Sequence, residues 1–224
     1  MVRVALYYAP LPDDPLTALG SAWLGRDPAT NAPVPQPALD GIFEVTAEPR
    51  LYGFHATLKP PMYLADATNW TGLMSAVRDV ARDIAPFDLP RLAVCDLRGF
   101  LALRETSPCP ALQALSDACV ERLDPFRREP EAAELARRRK GKLSAEQDAM
   151  LVRWGYPYVF GTWFFHMTLT RRLSGAEQAI VRPAAESWFA PALPVARRVE
   201  DICIFTQPGP GAAFSLAERM RLRG

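Results

Sequence analysis

Two stretches of this 224-residue chain follow one plan, and no other feature of the sequence limits the fold as much. Each opens on His-x-Thr-Leu: His55-Ala56-Thr57-Leu58 within LYGFHATLKPP, and His166-Met167-Thr168-Leu169 within WFFHMTLTRR. A helical pattern follows each, then two strand patterns. Val94, in the middle of the next strand of the first stretch, comes 39 residues after His55, and Ile204, its counterpart, comes 38 residues after His166. GFLALRE and AFSLAER then hold matching final positions. Internal similarity of this kind predicts two βαββ-like halves, roughly 42–107 and 158–224, with a helical insertion at about 108–157 and an N-terminal strand at 2–9. Residues 1–224 read as a single bilobal domain of the α+β class.

Local signals fill in that plan. VRVALYYA is β-branched and aromatic and stops at Pro10, the pattern of a strand. LTALGSAWLG suggests a short helix over 16–25, the proline-rich segment 26–41 a loop, and 42–48 one or two helical turns. Residues 53–58 read as a strand stopped by Pro60-Pro61. Asn69 caps a helix over about 70–85 whose Leu73, Val77, Val80 and Ile84 share a face. FDLPRLAVCDL and GFLALRE read as strands joined through Arg98-Gly99, followed by a helix over about 108–123 with Leu112, Leu115 and Cys119 inward. Glu134 and Arg138 stand four apart on a solvated helix, and Arg137-Arg138-Arg139-Lys140 reads as its exposed charged end in preference to a phosphate contact. Ser144 with Gln147 and Ser174 with Glu177 are capping-box pairs that open helices over 145–154 and about 175–189. Residues 158–170 read as the strand of the second histidine, and VEDICIFTQ with AAFSLAERMRL as a final hairpin.

His55 and His166 are the only two histidines. At average residue usage, the chance that both are followed by Thr at +2 and Leu at +3 is on the order of one in ten thousand. The shared frame therefore reads as functional. On a strand, positions i and i+2 face the same way. His55 and Thr57 project together with Lys59 next along, and His166 projects with Thr168 and Thr170. A neutral imidazole can take a proton from water while a protonated one gives a proton to a departing alkoxide, and both forms are accessible near neutrality. The two threonine hydroxyls can hold non-bridging phosphate oxygens as charge builds. Three substrate-binding candidates stand beside this catalytic set. Lys59 has the parity to meet a second phosphate, Tyr7 is favoured over Tyr8 to face a groove between the two imidazoles, and Arg104, ending FLALR, approaches from the floor of that groove. Arg171 has the opposite parity unless a bulge intervenes, and Tyr52, Tyr156 and Tyr158 read as packing residues.

Cys95, Cys109, Cys119 and Cys203 form no Cys-x-x-Cys pair, and none lies within ligand spacing of a histidine. They read as reduced thiols, with no metal site and no cofactor expected. A net charge of +1 creates no strong global field, so a small phosphorylated substrate is favoured over nucleic acid as the partner. MVRVALYYAPLPDD has a short apolar run closed by prolines and aspartates, which is not the pattern of a signal peptide. No window approaches the roughly 20 apolar residues of a membrane span. No membrane partner is expected, and the expected location is cytoplasmic. The sequence leaves the oligomeric state open.

In combination, YYAP, SAWLGRD, YGFHATLKPP, WGYPY and FHMTLT resemble the 2H phosphoesterase superfamily, and more closely its members encoded with phosphonate-utilisation genes. The resemblance spans about residues 3–206. It implies two pseudo-symmetric lobes, each an antiparallel sheet with outer helices, around a central groove. It implies His55, Thr57, His166 and Thr168 as the catalytic set. It also implies a metal-independent phosphodiesterase acting on a cyclic phosphodiester of a small sugar phosphate or nucleotide, with a phosphorylated ribose as the substrate that carbon–phosphorus bond cleavage would supply. Two alternatives stay open: an RNA-end 2′,3′-cyclic phosphodiesterase, and a non-catalytic module that senses a phosphorylated metabolite.

Overall fold

Strand β1 (Arg3–Tyr8) shows how the apolar pattern is spent. In the computed structural model, which describes residues 2–224, Val4, Leu6 and Tyr8 enter the main core. Ala5 and Tyr7 point the other way and pack with Cys203, Phe205 and Phe214 in a smaller cluster. A strand buried on both faces reads as a continuous apolar run, which is why VRVALYYA shows little polar alternation.

The remaining strands are β2 (Ala56–Tyr63), β3 (Phe87–Leu89), β4 (Leu92–Leu97), β5 (Phe100–Glu105), β6 (Met167–Thr168), β7 (Arg197–Val199), β8 (Asp201–Gln207) and β9 (Ser215–Arg221). Seven of the nine strands form one antiparallel sheet in the order β4-β5-β6-β2-β1-β8-β9, and β3 pairs separately with β7. The two histidine strands, β2 and β6, are neighbours at the centre, joined at Ala56–Met167. The hairpin of β4 and β5 turns through Arg98 (φ 55°) and Gly99 (φ 100°). Two left-handed residues in a row suit a tight hairpin, and glycine adopts that region without a Cβ penalty.

The helices are α1 (Pro15–Leu24), α2 (Ile42–Val45), α3 (Ala47–Tyr52), α4 (Trp70–Arg82), α5 (Pro110–Arg122), α6 (Ala132–Arg139), α7 (Ala145–Trp154) and α8 (Gly175–Phe189). Their caps are those written in the sequence. Asn69 Oδ1 accepts from Gly72 N at 2.9 Å, and both bonds of each capping box are present at Ser144–Gln147 and Ser174–Glu177. Leu73, Val77 and Val80 of α4, Leu112, Leu115 and Cys119 of α5, and Val181, Ala185 and Phe189 of α8 are buried in the main core. The result is the expected α+β class of antiparallel strands with outer helices. No helix among the described residues is long and apolar enough to cross a membrane.

Two expectations need correction. The sheet is not assembled within the sequence halves 42–107 and 158–224: β5 of the first half pairs with β6 of the second, and β8 of the second pairs with β1, which pairs with β2. Strand pairing depends on which edges meet in space: here β6 sits beside the β4–β5 hairpin of the first half, and β1 stands between β2 and the β8–β9 hairpin of the second. The segment 108–157 carries α5, α6 and α7, and its first helix backs β2, where Ser116 Oγ donates to Leu58 O at 3.1 Å. Finally, β2 does not stop at Pro60-Pro61. Its register against β1 is interrupted twice, between Val4 and Leu6 and between Leu6 and Tyr7. On its other edge β6 pairs only at Ala56, so the prolines, which have no N–H, cost the ladder no strand partner there.

Candidate active site

The turn that ends α3 directs the first histidine. Gly53 has φ 78°, and a Cβ on it would come 2.7 Å from Pro28 Cβ, so only glycine fits. The Gly53 carbonyl accepts from His55 Nδ1 at 2.9 Å. The second frame repeats the arrangement, with His166 Nδ1 donating to Phe164 O at 3.1 Å. A carbonyl oxygen only accepts, so Nδ1 carries the hydrogen in both rings and Nε2 is the lone-pair nitrogen of each neutral imidazole. Thr57 Oγ1 lies 3.3 Å from His55 Nε2, placed to donate to it. Trp163 Nε1 donates to Thr57 O at 2.9 Å, fastening the approach to the second frame onto the first.

One cleft of about 630 Å³ is lined by His55, Thr57, His166 and Thr168 together. All four expected catalytic residues thus share one cavity. The Tyr7 ring stacks on His55 with centroids 3.7 Å apart and planes at 27°. Phe100 meets His166 edge-on at 6.1 Å. Arg3, Arg137 and Arg138 also border the cleft, as do Arg171 and Arg172, whereas Glu48 is the single acid among the described lining residues. This is an anion-attracting cavity in a chain of net charge +1.

Burial pushes the His55 imidazole down to about 4, with the Gly53 hydrogen bond opposing and His166 adding to the shift. Burial likewise lowers His166; the Phe164 carbonyl acts against it, nearby Arg104 lowers it further and Glu105 raises it. Both rings are therefore neutral in the unliganded cleft at neutral pH. A bound anion between them reverses the balance, because an adjacent negative charge favours imidazolium.

The three substrate-binding candidates fare differently. Lys59 does not face the cleft. Tyr7 pairs with Thr57 and Leu6 with Lys59, so one step on β1 spans two on β2. That extra residue, Leu58, undoes the i, i+2 rule and turns Lys59 to the Leu6 side. There Lys59 is 1% exposed, donates to Val120 O at 2.9 Å and lies 3.8 Å from Asp124. Tyr7 is on the cleft side, but as the support of His55; its hydroxyl is buried without a hydrogen-bond partner among the described residues. Arg104 lies one step beyond the Leu103–Met167 pair, beside His166 in the sheet. It pairs with Glu105 at 3.2 Å and lies over the Phe164 ring at 5.2 Å, and it does not line the cleft.

Thr170, expected to project with His166, borders the cleft with its hydroxyl accepting from Leu101 N at 3.0 Å. Arg171 reaches the cleft despite its parity, because β6 ends at Thr168 and strand alternation ends with it. Its guanidinium pairs with Glu177 at 2.8 Å. Tyr52 and Tyr156, expected as packing residues, and Arg137 and Arg138 from the charged end of α6 also border the cleft. Nothing in their spacing marks them, since they come from segments that only the folded chain brings together. Among the described residues no group of three or more His, Cys, Asp or Glu side chains is placed to hold a metal ion.

The position of Lys59 makes a prediction. Lys59→Met leaves KM for a phosphorylated substrate unchanged within about twofold, whereas loss of a direct phosphate contact would raise it about tenfold or more. Burial lowers the Lys59 amine to about 8, Asp124 opposing. Between about 8 and the ordinary 10.5 the unfolded chain holds a proton that the folded chain does not, so this lysine makes stability rise with pH across that window. Denaturant melts at pH 7.5 and 10 (roughly the two ends of that window) should show the rise in the wild type and not in Lys59→Met.

Comparison with known proteins places the chain among relatives. The family model described as "Protein of unknown function (DUF1045)" matches residues 57–215. The chain is 38% identical over 233 residues to a ribose 1,5-bisphosphate phosphokinase PhnN of Janthinobacterium sp. (strain Marseille), covering 100% of this chain and 51% of that protein. It is 39% identical over 219 residues to the protein of the same name from Laribacter hongkongensis (strain HLHK9), covering 96% of this chain and 50% of that one. The chain spans about half the length of these curated relatives. Similar solved structures include E. coli LigT complexed with 3′-AMP, with a TM-score of 0.46 and 12% identity over 99% of this chain and 98% of that one. Another is TT0787 of Thermus thermophilus, with a TM-score of 0.47 and 17% identity over 99% and 98%.

Proposed function

From the premise that this chain belongs to the DUF1045 family, we propose that it is a phosphodiesterase of the 2H type, hydrolysing a cyclic phosphodiester of a small sugar phosphate by two-histidine acid–base catalysis. The observation that carries this reading is the doubled geometry of one cleft. Two imidazoles, each tied through Nδ1 to the carbonyl two residues before it, line the same cavity with two threonines and several arginines. The name of the longer relatives concerns a bisphosphorylated ribose, which supports a sugar phosphate as the substrate class. The sequence holds no Gly-x4-Gly-Lys-Ser/Thr loop of the kind that cradles nucleotide phosphates, so the kinase activity in that name is not part of the proposal. A place in phosphonate catabolism is part of it, on the strength of the resemblance in the quoted motifs.

The burial of the two rings suggests their roles. His55, held down to about 4, is the base: its Nε2 takes a proton from water as the water oxygen forms its bond to phosphorus. His166, whose ring Glu105 helps to charge, is the acid: protonated in the presence of the bound anion, it gives its Nε2 proton to the departing alkoxide as that P–O bond breaks. The products are a phosphomonoester and a free hydroxyl. The histidines are left with their protonation states exchanged, and solvent resets them. Thr57 and Thr168 donate to the non-bridging oxygens, where charge accumulates. The scheme uses no metal.

Incubation with a panel of cyclic phosphates, read by phosphorus-31 NMR, tests the proposal: a ring-opened monoester is expected for at least one. Tight binding of phosphorylated sugars with no turnover of any cyclic phosphate would replace it with the sensing module. Thr57→Val and Thr168→Val should each lower kcat by about 10²-fold and at most about 10³-fold, the range for one oxyanion donor, with KM changed less. A kcat within twofold of wild type in both would remove the threonines from the mechanism.

A further inference from the structure

Three consecutive arginines end α6, and only two of them are engaged. Arg138 pairs with Glu134 at 2.9 Å and lies over the Tyr156 ring at 5.0 Å. Arg139 pairs with Asp148 at 2.6 Å. The Arg137 side chain makes no hydrogen bond or ion pair among the described residues, yet it borders two cavities at once. One is the histidine cleft. The other, of about 430 Å³, continues beyond it. The two share Arg3, Pro61 and Arg137, which form a neck between them.

Arg3 is anchored from behind. Its Nε donates to Gln207 Oε1 at 2.6 Å and its guanidinium carbon lies 5.3 Å from the Phe214 ring centroid. Its terminal nitrogens make no hydrogen bond among the described residues. Helix α6 itself buries no residue, so the core does not explain why its arginine stands at the neck. Glu129, Glu131 and Glu134 line the outer cavity and not the histidine cleft. Arg127 and Arg128 line the outer cavity as well, so its charges largely offset one another, whereas the neck presents two arginines and no acid.

We propose that Arg137 and Arg3 form an anion subsite at this neck, and that the substrate places there a second, unesterified phosphate besides the phosphodiester held between the histidines. The proposal rests on the phosphodiesterase reading and specifies its substrate. Guanidinium groups stay charged at any working pH and match phosphate oxygens in pairs. A substrate that spans cleft and neck is held at two points, which orients the scissile ester against the two Nε2 atoms.

The test compares a sugar bisphosphate with the corresponding monophosphate by calorimetry, using the full chain and its Arg137→Gln and Arg3→Gln variants. Wild type should prefer the bisphosphate by about 10–100-fold, the worth of a charge-assisted phosphate contact. Arg137→Gln, at an exposed helix position, should fold normally and lose most of that preference. Equal affinities in the wild type, or a preference intact in both variants, overturns the subsite. Turnover separates this from the parent reading. If two cyclic phosphodiesters that differ only in a second phosphate are hydrolysed with equal kcat/KM, the subsite fails and the phosphodiesterase stands. If neither is hydrolysed while the bisphosphate preference disappears in Arg137→Gln, the subsite stands and the phosphodiesterase fails.

Discussion

Replacing either histidine by alanine should lower kcat/KM on a cyclic phosphodiester by about 10²–10⁴-fold, the span for loss of a general acid or base. The double variant should fall far short of the product of the two losses, because acid and base act in the same turnover. The pH profile carries the sharper information. A base must be neutral to act, so activity should fall as pH drops through the His55 value of about 4. An acid must be protonated, and His166 is held below the ordinary 6.5. In the free enzyme kcat/KM should therefore be bell-shaped with its optimum on the acid side of 6.5. His55→Ala should lose the rising limb and keep the falling one, and His166→Ala the reverse. A bell that survives in both variants would assign the proton transfers to other groups. An exchange of limbs between the variants would swap the two roles and leave the pair intact.

Tyr7→Ala is expected to cost about 3–5 kcal/mol of stability, the range for truncating a buried aromatic residue. Tyr7 is fully buried and packs against His55, Phe205 and Phe214. Tyr7→Phe keeps the ring and removes a hydroxyl that is buried and unpartnered among the described residues. Deleting an unsatisfied polar group is neutral or stabilising, by up to about 1–3 kcal/mol. Urea unfolding should therefore move in opposite directions, or nearly so, for the two variants. Activity should follow the ring: Tyr7→Phe retains kcat, while Tyr7→Ala loses it because His55 is no longer held against a flat face. If Tyr7→Phe keeps its stability and loses kcat as Tyr7→Ala does, the hydroxyl contacts substrate and the ring is not merely a support.

Much of this protein is legible one segment at a time. Asn69, Ser144 and Ser174 mark helix starts because a short polar side chain reaches a free backbone N–H two or three residues on. Arg98-Gly99 marks a hairpin for a similar reason, since two residues with positive φ bend the chain back on itself with the right twist. The proposed catalytic set is legible because each frame places an imidazole and a hydroxyl on the same side of the chain. Lys59 marks the limit of that reasoning. Its expected direction followed from alternation, and alternation fails at a bulge whose cause is the pairing of β2 with β1, about fifty residues away in sequence. The apolar run 158–170 likewise has the pattern of a long strand, yet Phe160–Thr162 forms a 3₁₀ turn and β6 keeps only Met167–Thr168.

By itself the sequence determined where the capped helices begin, which face of α4 enters the core, and that two equal histidine frames are present. Each of these depends on backbone geometry and on neighbours within a turn or a pleat. Tertiary structure alone decided that β2 and β6 lie side by side, that each is flanked by strands from elsewhere in the chain, and that Lys59 faces α5. It also decided that arginines from β1, α6 and the segment after β6 surround one cleft. Strand partners and clefts are set by contacts between distant segments, where burial of both faces and the register of one ladder choose among arrangements that the local pattern allows equally.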